Sequence, residues 1–274
     1  MATFTSTDGT EIFYKVWGQG RPVVLIHGWP LSSDSWDDVA LAVANAGFQV
    51  FAYDRRGFGR SSHAWLGYDY DTLSADLAQL IEERELRNVS LVGFSMGGGE
   101  VIRYVSRYGV ERLSSLVLVS SVIPFMLQTE GNPGGIPKEV FEEIKQGIAK
   151  DRPAFFAQFF KDFFGAGLIS SPVSVEMLEW ARSVSMQAGL KGVLDCIDAF
   201  SSTDFRNELH AITIPTLLIH GTEDKTVPIT VSARVAVEGI AGASLIEYAG
   251  APHGLFATHK ERLIENLLDF LSGN

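Results

Sequence analysis

Cysteine is almost missing from this chain: Cys196 is the only one in 274 residues. A single thiol excludes an intrachain disulfide and argues against a zinc site built on thiolates. Basic residues are also in deficit, with 22 Lys and Arg against 33 Asp and Glu and a net charge of −11. Nucleic acids and anionic membrane surfaces are gripped by clustered Lys and Arg, and no basic stripe runs through the sequence, so neither is an expected partner. No run approaches the roughly 20 apolar residues that a membrane-spanning helix requires. The opening MATFTSTDGTEIFYK has neither the basic nor the apolar section of a signal peptide. His and carboxylate residues nowhere cluster at metal-ligand spacing, so no metal or other cofactor is expected. These deficits point to a soluble, cytoplasmic protein with a small-molecule partner, and leave self-association as a homo-oligomer open.

What the chain has in quantity is ordinary globular material. It is 46% hydrophobic and 20% charged, at a length where a single core stops growing. Residues 11–18 (EIFYKVWG) alternate after an Asp8-Gly9 turn signal and read as part of an N-terminal β-hairpin. PVVLIH at 22–27 is a continuous apolar run ending on Gly28, as expected of a parallel strand covered on both faces. Helical spacing over 34–47 follows. The alternation continues with strand 48–54, helix 72–86, strand 88–94, helix 96–108 and strand 113–121. From Val122 to about Glu208 the strand signal lapses and the composition turns helical and aromatic, as in RPAFFAQFFKDFFG. Sheet building resumes with IPTLLIHG at 214–221, a helix at 229–240, SLIEYAG at 244–250 and a helix at 256–272. The pattern predicts an α/β fold in which 1–121 and 209–274 form one domain on a mostly parallel sheet. Residues 122–208 then form a helical lid at the carboxyl edge of a strand, where open α/β sheets bind ligands.

Gly93-Phe94-Ser95-Met96-Gly97 matches G-x-S-x-G where an apolar strand meets a helical segment. So sharp a turn strains the serine backbone, and a Cβ two residues before or after would collide with the neighbouring strand or helix. The bend lifts the Ser95 hydroxyl above the sheet, beside the N–H groups of a helix N-terminus. A serine hydroxyl is a weak nucleophile until a base oriented by an acid removes its proton. Two later strand ends carry such groups: Gly221-Thr222-Glu223-Asp224, and Pro252-His253-Gly254. The order Ser95, Asp224, His253 is nucleophile, acid, base, with Glu223 as the alternative acid. Ser120 and Ser121 stand where the other common acid position falls. For an oxyanion, the N–H of Met96 and that of Trp29 in His27-Gly28-Trp29-Pro30 would converge; Pro30 has no N–H to offer.

These motifs resemble those of the α/β-hydrolases, and more closely those of the bacterial arylesterases and cofactor-free haloperoxidases, which also act as perhydrolases. The resemblance is carried by HGWPLSSDSW at 27–36, YDRRGFGRSS at 53–62, GYDYDTLSADLAQLIE at 67–82, VGFSMGGGEVIRYV at 92–105 and APHGLFATH at 251–259. It implies an α/β-hydrolase fold with a mostly parallel eight-stranded sheet and a helical lid. It also implies Ser95 as nucleophile, His253 as base, Asp224 as orienting acid, and Trp29 with Met96 as the oxyanion hole. The expected activity is that of a serine carboxylesterase on small, uncharged short-chain or aryl esters, with perhydrolysis as a side activity. Perhydrolase or haloperoxidase action as the main activity, and lactam or amide hydrolysis by the same residues, are the alternatives.

Other residues have plainer readings. Phe155, Phe156, Phe159, Phe160, Phe163 and Phe164 recur at helical spacing and read mostly as lid core. The acyl pocket is expected to draw on Phe125, Phe159, Phe200, Val227 and Leu255. His27 and His220 each end an apolar strand before a glycine and are expected to bond backbone groups there. His63, His210 and His259 read as surface residues, Arg55 and Arg56 as loop staples, and Cys196 as a core thiol.

Overall fold

The computed structural model describes residues 2–167 and 171–274; Met1 of the expected catalytic segment and 168–170 of the expected lid lie outside them. Ala2–Thr5 (β1) and Glu11–Trp17 (β2) pair antiparallel across the Asp8-Gly9 turn, where Gly9 takes a φ of 86°. The apolar runs form Arg21–Ile26 (β3), Phe48–Tyr53 (β4), Val89–Phe94 (β5), Leu113–Val119 (β6), Thr216–Gly221 (β7) and Ser244–Tyr248 (β8). They join in one eight-stranded sheet of order β1-β2-β4-β3-β5-β6-β7-β8. β2 runs against its neighbours, and the pairs from β4 to β8 are parallel.

The register decides where the chemistry sits. Ile26 lies opposite Gly93, Phe94 opposite Val119, Val119 opposite Ile219, and Gly221 opposite Tyr248. The loops after β3, β5, β7 and β8 therefore open side by side on one edge, as parallel strands linked by crossovers require.

Helices Asp37–Asn45 (α1), Tyr70–Glu83 (α2) and Met96–Tyr108 (α3) cover the sheet. α2 begins two residues before its expected start, because the Asp69 carboxylate accepts the Thr72 N–H at 3.0 Å and caps it. Between β6 and β7 lie Lys138–Phe164 (α4), Val175–Met186 (α5) and Leu190–Ser202 (α6), and none of the eight strands. α4 is two helices joined at a kink: Asp151 leaves helical geometry (φ −158°, ψ 85°) and its carboxylate accepts the Ala154 N–H at 3.0 Å. Pro153 thus falls in a first turn, where its missing N–H costs no helical bond. Phe156, Phe160, Phe163 and Phe164 of the second half are wholly buried.

Two later helices depart further from expectation. The one after β7 contracts to Ala233–Gly239 (α7), and the C-terminal one breaks at His259 (φ −136°) into Leu255–Thr258 (α8) and Lys260–Gly273 (α9). At that break the His259 ring and the Thr258 hydroxyl bond each other at 3.0 Å. Among the described residues, no helix is long and apolar enough to cross a membrane.

Candidate active site

Ser95 joins β5 to α3 with φ 54° and ψ −119°, a backbone conformation that L-residues with a side chain rarely adopt. Close packing leaves it no room to relax. A Cβ on Gly93 would lie 2.7 Å from the Gly97 carbonyl oxygen, and one on Gly97 would lie 2.7 Å from the Ile26 carbonyl oxygen. The Ser95 N–H donates to Val119 O at 2.9 Å, and its own carbonyl accepts from Gly98 at 3.0 Å.

The side chains expected to act together do meet. His253 Nε2 stands 3.0 Å from Ser95 Oγ, and His253 Nδ1 stands 2.6 Å from Asp224 Oδ2. Glu223, the alternative acid, is exposed instead. Asp224 Oδ1 accepts the N–H groups of Thr226 at 2.9 Å and Val227 at 2.8 Å. Burial pushes the Asp224 carboxyl up, but the His253 charge and hydrogen bonds from His220 and His253 outweigh it and hold the pKa at about 2. The carboxylate is therefore ionised across the neutral range. The His253 loop is pinned from two sides: Ser120 Oγ donates to His253 O at 3.1 Å, and the Gly254 N–H donates to Phe163 O of α4 at 2.9 Å. Phe163 also sets its ring edge-on to the imidazole, 4.8 Å between centroids.

The loop after β3 is held just as firmly. The His27 ring accepts the Arg55 N–H at Nε2 (2.9 Å) and donates from Nδ1 to Gly28 O (2.9 Å), so it bonds backbone groups as its position suggested. Burial, with the Arg55 charge next in size, pulls its pKa down to about 3 and keeps that tautomer neutral. Gly28 O and the Trp29 N–H belong to one peptide unit, so gripping the carbonyl aims the N–H. Arg55 Nη2 also donates to His27 O at 2.7 Å, and the Arg55 guanidinium pairs with the buried Glu100 of α3. Arg56 bonds Asp76 and Asp8, so both arginines staple loops as the sequence implied. Among the described residues the N–H groups of Trp29 and Met96 have no backbone acceptor.

A cavity of about 210 Å³ opens on Ser95 and Trp29. Of the expected pocket residues, Phe159, Phe200 and Val227 line it, whereas Phe125 and Leu255 do not. Phe125 lies instead beneath the Arg206 guanidinium, 5.1 Å from ring centroid to cation, and Leu255 is sealed in the first turn of α8. The wall is completed by Val122, Met126 and Ile136, and by Val140, Phe141 and Ile144 from the first half of α4. The last three share one helical face, a stripe readable in KEVFEEIKQGIAK but masked in sequence by the denser phenylalanine run after it. Asp162 and Lys225 are the charged side chains of the wall. The Trp29 indole N–H donates to Val193 O of α6 at 3.0 Å, and the ring packs against Phe156, Phe159 and Phe200.

Chemically, a hydroxyl, an imidazole and an ionised carboxylate in this order can shuttle one proton to and from an attacking oxygen. Among the described residues no group of three or more His, Cys, Asp or Glu is placed to hold a metal ion.

The family model described as alpha/beta hydrolase fold matches residues 21–260. A non-heme chloroperoxidase of Kitasatospora aureofaciens is 43% identical over 274 residues, covering 99% of this chain and all of that one. A bifunctional esterase/perhydrolase of Acinetobacter calcoaceticus is 41% identical over 99% of each chain. The crystal structure of a bromoperoxidase from Bacillus anthracis superposes with a TM-score of 0.95 at 46% identity, over 99% of this chain and 100% of that one.

Proposed function

Since the chain belongs to the alpha/beta hydrolase family, in its group of non-heme haloperoxidases and perhydrolases, we propose that it carries acyl groups on Ser95 and passes them to water or to hydrogen peroxide. The single observation behind this reading is the unbroken relay from Ser95 Oγ through His253 to Asp224, at 3.0 and 2.6 Å, beside a largely apolar cavity. Ser95 Oγ attacks the acyl carbon of a small, uncharged ester while His253 Nε2 takes its proton. The oxyanion is met by the N–H groups of Trp29 and Met96. The alcohol leaves with the proton from His253. Water or peroxide then adds to the acyl-enzyme, His253 again taking a proton, and Ser95 is released with a carboxylic acid or a peracid. A peracid oxidises halide in solution, which joins esterase and haloperoxidase chemistry in one site. The names of the relatives favour peroxide as a working acceptor over hydrolysis alone.

The test is turnover of p-nitrophenyl esters of increasing chain length, with and without peroxide and bromide. Acetate and butyrate esters are expected to be consumed, and brominating activity to appear only when ester, or its acid, and peroxide are both present. Ser95→Ala or fluorophosphonate treatment removes both activities. Turnover surviving either treatment refutes the proposal.

A further inference from the structure

His220, the penultimate residue of β7, is a wholly buried imidazole that this chemistry leaves without a part. Its Nε2 lies 2.8 Å from the Val227 carbonyl oxygen and 3.2 Å from Asp224 Oδ2, the oxygen that also faces His253. A carbonyl and an ionised carboxylate only accept, so Nε2 carries the hydrogen and is shared between them. Among the described residues Nδ1 has no partner. A proton there would be a buried donor without an acceptor, at a cost of about 1–3 kcal/mol, so the geometry selects the Nε2–H tautomer. An apolar residue of the same bulk would fill this place without the cost of an idle polar nitrogen.

The two oxygens of Asp224 are held differently. Oδ1 is fixed by the backbone N–H groups of Thr226 and Val227. Oδ2 meets the two histidines, and only His253 connects onward to Ser95. We infer that His220 is a positioning residue, donating from Nε2 to Asp224 Oδ2 and to the Val227 carbonyl so that the carboxylate stays set against His253 Nδ1. The inference rests on the acyl-transfer reading of the site. Val227 also lines the cavity, so a merely structural histidine would act through pocket shape and alter substrate binding. A positioning histidine acts on the acylation step.

The experiment compares His220→Leu and His220→Gln in single-turnover acylation by p-nitrophenyl acetate, reading the rate constant and the half-saturating concentration separately. The downfield proton resonance of the His253–Asp224 bond is recorded alongside. His220→Leu is expected to slow acylation by about 10- to 100-fold, as loss of partners that orient catalytic ligands does, with half-saturation unchanged and the resonance shifted. His220→Gln, whose amide N–H reaches the same region, recovers most of the rate and the resonance. If Leu prevents folding, His220→Asn, polar but too short to reach Oδ2, takes its place. A wild-type rate in His220→Leu, an equal loss in His220→Gln, or a change confined to half-saturation overturns the inference. Acylation in Ser95→Ala would overturn the acyl-transfer reading itself, whereas an inert Ser95→Ala beside an unimpaired His220→Leu overturns only the role of His220.

Discussion

Single residues at the site are defined by what their atoms face. Asp224 and Glu223 are adjacent carboxylates on one loop, yet only Asp224 turns inward to His253, while Glu223 stays in solvent. Replacing Asp224 by Asn keeps the shape but puts an N–H donor where an acceptor is needed, which favours the wrong imidazole tautomer. Asp224→Asn is therefore expected to lower kcat for p-nitrophenyl acetate by about 10⁴, as in serine proteases, while Glu223→Gln leaves it unchanged. Steady-state kinetics of the two variants checks this, and equal losses would reassign the acid. Ser95, His253 and the Glu223-Asp224 pair are legible in sequence because each is a reactive side chain at a strand end. Phe125 and Leu255 were misplaced because an apolar residue near such a site looks the same in sequence whether it faces the cavity or the core.

Elements constrain the site through contact between backbones. α3 crosses the ends of β3 and β5 so closely that a Cβ on Gly97 would lie 2.7 Å from Ile26 O and 3.1 Å from His27 O. Both atoms are main chain and cannot swing aside. Gly97→Ala is expected to destabilise the fold by about 1–3 kcal/mol through overpacking. It should also slow acylation, because the displaced strand end carries the Trp29 N–H. Gly273→Ala, with open space around it, serves as the control and leaves both quantities unchanged. Urea midpoints and single-turnover rates decide, and a wild-type rate in Gly97→Ala would show that the turn tolerates the shift. Strand and helix identities followed from periodicity, but the capped start of α2, the break in α4 and the split at His259 depend on local side-chain bonds that periodicity does not register.

The whole molecule answers to pH through its buried groups. Asp224 titrates at about 2 in the fold against an ordinary ~3.9, so its stabilisation is present above ~3.9 and is lost as pH falls to about 2. His27 titrates at about 3 against an ordinary ~6.5. Below ~6.5 the unfolded chain takes up a proton that folded His27 refuses, so stability declines from there towards pH 3. The two effects have the same sign. Melting temperature is expected to be insensitive to these groups above ~6.5, to fall as pH drops to about 4, and to fall further below that. His27→Gln should flatten the upper part of the decline. Calorimetry of both proteins across this range is the check, and parallel curves would remove His27 as a cause.

The alternation of strands and helices, the order of the reactive residues along the chain, and the glycines at the serine turn can all be read from the amino-acid order alone. Each depends on neighbours within a few residues or on bare chain order. Which carboxylate faces His253, which residues between β6 and β7 line the cavity, and that His220 shares the Asp224 oxygen are settled by the folded chain. The cavity wall and the His253 contact join side chains far apart in sequence, set by sheet register and helix packing, whereas the His220 contact depends on how the loop after β7 folds back over its strand end, and no local pattern encodes any of them.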